Sequence, residues 1–121
     1  MAWAKGAASS RRFWLFQRLV RKGLIAMVLE IAEIEVKPGE EAQFEASVAA
    51  AKPAFARAKG FRSLVLQRSI ENRMCYLLFV QWETLEDHIV HFRNSENFAE
   101  WRRLAGPYFA APPRVEHYEV V

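Results

Sequence analysis

The sequence contains a single cysteine, Cys75, among its 121 residues. One cysteine excludes an intrachain disulfide and a cysteine-rich metal site. It also fits a reducing compartment, so we expect the protein to be cytoplasmic.

Other absences exclude further classes of protein. No glycine-rich phosphate loop, nucleophile elbow or serine triad is present, and no stretch reaches the roughly 18 to 20 apolar residues that span a bilayer. The later chain does not combine a stripe of lysine and arginine with stacking aromatics, so nucleic acid is not an expected partner. A composition of 52% hydrophobic and 26% charged residues indicates one globular domain with one core.

Acidic residues are absent from residues 1–26, which carry six basic side chains, whereas residues 27–121 hold 11 basic and 14 acidic ones. We therefore divide the chain into a basic N-terminal extension, residues 1–26, and a mildly acidic domain, residues 27–121. A helix capped by Ser9 or Ser10 would give the extension an apolar stripe, which consists of Phe13, Phe16, Val20 and Leu24.

Three explanations of this amphipathic extension compete. SSRRFWLF resembles a twin-arginine export signal, but Arg18, Arg21 and Lys22 interrupt the uncharged region that such a signal needs. Contact with an anionic membrane surface is physically possible. We favour a helical extension that packs its stripe on the domain or on a partner subunit.

From residue 28 the pattern predicts strand, helix, strand, strand, a helix in two pieces, and strand. Ala32, Ile34 and Val36 alternate with charged residues, as in a half-buried strand. EEAQFEASVAAAKPAFARA predicts a helix, which Pro53 should kink or interrupt near its last turn. A hairpin that opens at Gly60 and turns at ENR follows.

Two short helices and a last strand complete the domain. Thr84 is the predicted N-cap of a helix over LEDHIVHF, and Asn94 or Ser95 is the predicted N-cap of a helix over ENFAEWRRLAG. PRVEHYEVV is predicted to be the last strand. This order is the βαββαβ plan of an α+β, ferredoxin-like domain. The sheet face that the helices leave uncovered is also expected to be apolar, with Leu29, Ile31, Leu64, Leu66, Leu77 and Phe79 on it. Such a face should not be exposed to water, so we predict a homodimer joined sheet to sheet.

EIAEIEVKPGEEAQF, followed by LLFVQWETLEDHIVHFRNSENFAEW, resembles the antibiotic biosynthesis monooxygenase family, the dimeric α+β barrel proteins that include quinol monooxygenases. The most specific part is Trp82, Glu83 and Thr84, with His91 nine residues after the tryptophan. The resemblance implies a monooxygenase that needs neither metal nor flavin. Its substrate would be an electron-rich phenol or quinol, bound between the sheet and the C-terminal helices, and we therefore expect no cofactor.

The family also contains haem-degrading members, which resemble one another at three positions. Those positions fall on Ala32, His91 and either Trp101 or Arg102, and none of them matches. Haem degradation by that mechanism is therefore not expected.

His91 is the candidate catalytic base, because the resemblance implies that role and an imidazole with a pKa of about 6.5 accepts a proton near neutrality. His88 lies three residues earlier and near the same predicted face. No third ligand accompanies the pair, so no metal site is expected. His117 is interpreted as an ordinary residue of the last strand.

The expected substrate-binding residues are Trp82, Phe98, Trp101, Arg102 and Tyr108. Aromatic side chains can line a pocket for a planar substrate, but they can equally fill a core. Arg102 or Arg103 could hold a phenolate or carboxylate, or both could form a solvated edge. The alternative function is a non-catalytic dimeric protein that binds a small ligand or acts under stress.

Overall fold

The computed structural model describes residues 11, 12, 14, 15, 18 and 27–121. The five residues described before residue 27 are helical and exposed. The predicted apolar stripe of the N-terminal extension lies outside the described residues. Within the part of the chain that the structure describes, no helix is both long enough and apolar enough to cross a bilayer.

The domain consists of four strands and two main helices, in the predicted βαββαβ order. The elements are β1 (Val28–Glu35), α1 (Glu41–Ala56), β2 (Phe61–Arg68), β3 (Cys75–Trp82), a π-helix (Asp87–Phe92), α2 (Glu96–Ala105), a short 3-10 helix (Gly106–Tyr108) and β4 (Arg114–Glu119). The sheet order is β2-β3-β1-β4, and all neighbouring strands are antiparallel. The fold is therefore the predicted α+β, ferredoxin-like one.

The core lies between one face of the sheet and the two main helices. Ala32, Ile34 and Val36 of β1 are buried, as their alternation predicts. The buried residues of α1 recur at helical spacing, and α1 continues through Pro53 to end at Ala56. β3 is the central hydrophobic strand, with Tyr76, Leu78, Val80 and Trp82 all buried.

The segment after β3 begins and ends at the predicted caps but differs in helix type. The Asp87 N–H donates to Thr84 Oγ1 over 3.1 Å, and Ser95 Oγ accepts from the Phe98 N–H over 3.3 Å. Between these caps the Arg93 N–H donates to the carbonyl of His88, five residues back, over 3.1 Å. This hydrogen bond is that of a π-helix, whose turn is wider than that of an α-helix.

The sheet face opposite the helices is open and carries apolar residues among polar ones such as Glu33 and Gln81. We call it the open face; it carries Leu29, Ile31, Val65, Leu77, Phe79 and Tyr118, and Val65 is 50% exposed. The prediction that Leu64 and Leu66 lie on this face is wrong. They pair with Val80 and Leu78 and pack against the core, because residues directly opposite in neighbouring strands share a face.

Candidate functional site

A cavity of about 260 Å³ lies between the core face of the sheet and the helical segments that follow β3. Its walls are mostly apolar, with aromatic rings from Phe55, Phe92, Phe98, Trp101 and Phe109. Because a cavity of about 150 Å³ can hold benzene, this one has room for a substituted aromatic of one or two rings. Open depressions of similar volume beside Arg68 and Tyr76 contain no histidine and no buried carboxylate.

Glu30 is a carboxylate in the wall of this cavity and is only 5% exposed. Trp82 Nε1 donates to Glu30 Oε1 over 3.0 Å, and His88 Nε2 lies 3.2 Å from the same oxygen. Oε2 has no hydrogen-bond partner among the described residues. Since none of their fully buried side-chain polar atoms lacks a partner, Oε2 keeps some exposure, and Glu30 itself lines the cavity.

His88, at 3% exposure, is the buried neighbour of Glu30. Its ring is stacked on the indole of Trp82, with 5.3 Å between centroids and 17° between planes. Its Nδ1 lies 2.7 Å from His117 Nε2 on β4. If His117 Nε2–H donates to His88 Nδ1, then the ring hydrogen of His88 is on Nε2, the nitrogen that lies beside Glu30 Oε1.

Burial dominates the electrostatics of this chain of groups. Burial raises the pKa of Glu30 from 4.5 to about 7, although the hydrogen bond from Trp82 and the charge of Arg93 act against it. Burial also lowers the pKa of His88 to about 3, with the charges of Arg93 and His117 acting in the same direction. The contact between Glu30 and His88 therefore joins a carboxyl group to a neutral ring and is not an ion pair. A carboxyl group that titrates near neutrality faces an aromatic cavity.

Of the predicted site residues, Phe98, Trp101 and Arg102 lie in the cavity wall. Trp82 is fully buried behind the wall and contacts the cavity indirectly, through its hydrogen bond to Glu30. Tyr108 is half-buried against the core and does not line the cavity.

His91 lies on the exposed side of the π-helix, and the structure does not bring it to the cavity. The prediction that His88 and His91 share a face is wrong, because the wide turn of the π-helix directs His88 and Phe92 inward and leaves His91 in solvent. The described residues contain no group of three or more histidine, cysteine, aspartate or glutamate side chains that could hold a metal ion.

Sequence reasoning missed Glu30, His88 and His117 as one constellation. A signal for Glu30 was present, since it is in phase with Ala32 and Ile34 on the buried side of β1. A charged residue at an inward position needs a partner or a shifted pKa, and it is a candidate for function. The pairing with His117 depends on strand register, which the sequence does not specify.

Comparisons with known proteins agree with this fold. The sequence model of the antibiotic biosynthesis monooxygenase family matches residues 27–104. The uncharacterised protein YczJ of Bacillus subtilis (strain 168) is 39% identical over 95 residues, which are 78% of this chain and all of that protein.

Two crystal structures illustrate the range of similarity. A candidate antibiotic biosynthesis monooxygenase from Bordetella bronchiseptica has a TM-score of 0.78 and 52% identity, over 79% of this chain and 98% of the other. SnoaB, a cofactor-independent oxygenase from Streptomyces nogalater, has the same fold, with a TM-score of 0.69 and 18% identity over 79% of this chain and 94% of its own. The chain therefore belongs to the antibiotic biosynthesis monooxygenase family.

Proposed function

We propose that this protein is a cofactor-independent monooxygenase that oxidises an aromatic phenol or quinol with O2. The observation that carries the proposal is Glu30, a carboxyl group with a pKa of about 7 that lines an aromatic cavity and has one oxygen without a hydrogen-bond partner among the described residues. A base is most effective when its pKa lies near the working pH, because it is then largely ionised and still takes up a proton. The fold shared with SnoaB, described as a cofactor-independent oxygenase, supports the class of reaction.

In the proposed reaction a phenol gives its hydroxyl proton to Glu30 Oε2. The phenolate passes one electron to O2, and the radical pair combines at a ring carbon that carries hydrogen. The peroxide takes the proton back from Glu30, and loss of the ring proton with cleavage of the O–O bond leaves a carbonyl group and water. One phenol and one O2 thus give one quinone and one water, with the four electrons of the oxidation accepted by O2.

Neighbouring groups prepare Glu30 for this role, which we had expected of His91. Trp82 donates to Oε1 and His88 Nε2 lies 3.2 Å from the same oxygen, so both hold the carboxylate from one side and leave Oε2 for the substrate. Arg93, also in the cavity wall, supplies a positive charge that would steady the phenolate. The aromatic walls exclude water, and this strengthens both interactions.

We further propose that the protein is a homodimer joined through the open face. Support comes from the apolar side chains on that face, among them Leu77 at 38% and Val65 at 50% exposure. A contiguous exposed apolar surface commonly marks a protein interface. Pairing two open faces would leave the cavity, on the other side of the sheet, accessible to substrate.

The test is O2 uptake with reduced quinones, naphthols and anthrone-like phenols, for wild type, Glu30→Gln and His91→Ala. We expect Glu30→Gln to reduce kcat/KM by about 100-fold or more, the usual range for loss of a general base. His91→Ala should remain within about twofold of wild type, because its side chain points away from the cavity.

The opposite pattern, with His91→Ala inactive and Glu30→Gln active, would return the catalytic role to His91. Binding of phenols without O2 uptake by the wild type would favour the alternative, a non-catalytic protein that binds small ligands. Thermal unfolding of each variant serves as the control for correct folding.

A further inference from the structure

The arginines of the domain divide into two groups. Six of the eight in residues 27–121 have a carboxylate or carbonyl partner: Arg57 and Arg103 pair with Glu100, Arg62 with Glu83, Arg68 with Glu45, Arg114 with Glu116, and Arg73 donates to the Ser69 carbonyl. The guanidinium groups of Arg93 and Arg102 form no hydrogen bond or ion pair with the described residues. These two are also the arginines in the cavity wall.

Both guanidinium groups are close to the part of the cavity where a ligand would lie. The Arg102 guanidinium carbon is 5.8 Å from the centroid of the Phe98 ring, which forms part of the wall. The charge of Arg93 acts on Glu30, His88 and His117, so Arg93 is near the carboxylate that receives the substrate proton. A guanidinium group matches a carboxylate with two parallel hydrogen bonds, and this pairing is strongest where water is excluded.

Both arginines are exposed, so with a neutral phenol in the cavity their guanidinium groups would have water, and the Phe98 ring for Arg102, in place of a carboxylate. We propose that the substrate is an aromatic acid, in which a carboxylate held by Arg93 and Arg102 lies next to the hydroxyl group that faces Glu30. This inference rests on the proposed function for the role of the hydroxyl group, but the recognition of the carboxylate is a matter of binding alone.

The experiment measures binding without turnover. Under nitrogen at pH 7, 1-hydroxy-2-naphthoate and 1-naphthol, which differ only in the carboxylate, are titrated calorimetrically into the full-length protein. Wild type should bind the acid at least tenfold more tightly, in line with a charge-assisted hydrogen bond. Arg93→Gln and Arg102→Gln should each lose about tenfold for the acid and stay within twofold for 1-naphthol.

Arg103→Gln is the matched control, because Arg103 is adjacent in sequence, pairs with Glu100 and does not line the cavity. It should bind both compounds like wild type. Equal affinities of wild type for the two compounds, or the same loss in Arg103→Gln as in Arg102→Gln, would overturn the inference. Tight binding of the acid without later O2 uptake would instead refute the proposed oxygenase function and leave the inference standing.

Discussion

At the scale of single residues, the proposed function depends on Glu30. The other inward positions of β1, Ala32 and Ile34, are apolar and only shape the wall. Glu30 adds an ionisable group at a place where burial favours its neutral form. Trp82 and His88 give that group a fixed orientation, and both would be ordinary core residues without it.

The raised pKa of Glu30 predicts a pH dependence of stability. Because the folded state favours the protonated carboxyl, its stabilising effect is fully present below pH 4.5 and is lost as the pH rises through about 7. Glu30→Gln is neutral at every pH and should not show this loss. Between pH 4.5 and 8 the free energy of unfolding of wild type should fall by about 3 kcal/mol relative to Glu30→Gln.

Urea unfolding at the two pH values measures this difference. Burial lowers the pKa of His88, so His88 makes both proteins less stable as the pH falls below 6.5. The difference between wild type and Glu30→Gln still isolates Glu30, because both proteins retain His88. The same pH dependence in both proteins would mean that Glu30 is not buried as an acid.

Residue-level prediction from the sequence succeeded where one strand or helix decides the environment. Phe98 and Trp101, for which the sequence left core and pocket open, lie in the cavity wall because α2 keeps its helical period, and their role in substrate binding stays a prediction. The position of His91 could not be predicted, since α- and π-helices have similar sequences and direct different residues inward. The contact between His88 and His117 required the register of β4, a long-range property.

At the scale of elements, the close contact between the residue before β2 and the start of the π-helix requires glycine at position 60. Gly60 has a φ of 78°, and a Cβ atom there would overlap the carboxylate of Asp87 at the start of the π-helix. Gly39 has a similar φ of 84°, but nothing lies within 4 Å of its Cβ position. The two glycines therefore share a left-handed backbone conformation, in which a side chain would be strained, and differ in crowding.

Alanine substitutions at these glycines separate the two effects. Gly39→Ala should lower the free energy of unfolding by about 1–2 kcal/mol, the cost of a left-handed conformation for a residue with a side chain. Gly60→Ala should cost more and should also weaken ligand binding, because the π-helix that carries His88 must move. Equal losses in urea unfolding would show that Asp87 does not constrain Gly60.

The alternation of β1 and the spacing of α1 were sufficient to predict the order of elements, as were the caps at Thr84 and Ser95. The side of the sheet on which each β2 residue lies could not be predicted, because Leu64, Val65 and Leu66 are all apolar. Only the pairing of β2 with β3 assigns each of them to a face.

At the scale of the whole molecule, the open face makes a prediction about assembly. Phe79 lies on this face between Ile31 and Val65, so a charge there should oppose burial against a second subunit. Light scattering should give twice the 14.0 kDa of one chain for wild type and a lower mass for Phe79→Glu. Ile70→Glu, at an 80% exposed position outside the strands, is the control and should remain dimeric.

A monomeric wild type, or a Phe79→Glu variant that remains a dimer, would contradict assembly through this face.

The division of the chain at residue 27 is supported by the start of the family match at that residue and stays a prediction. The cytoplasmic location and the packing of residues 1–26 also stay predictions.

The central claim is that one phenol in the cavity gives its proton to Glu30 and then reacts with O2. The most direct test supplies ¹⁸O2 in a single turnover and follows the product by mass spectrometry, with wild type and Glu30→Gln at pH 8. The account predicts one labelled oxygen atom in each product molecule from wild type and almost no product from Glu30→Gln. Unlabelled product from wild type, or equal labelled product from both proteins, would contradict it.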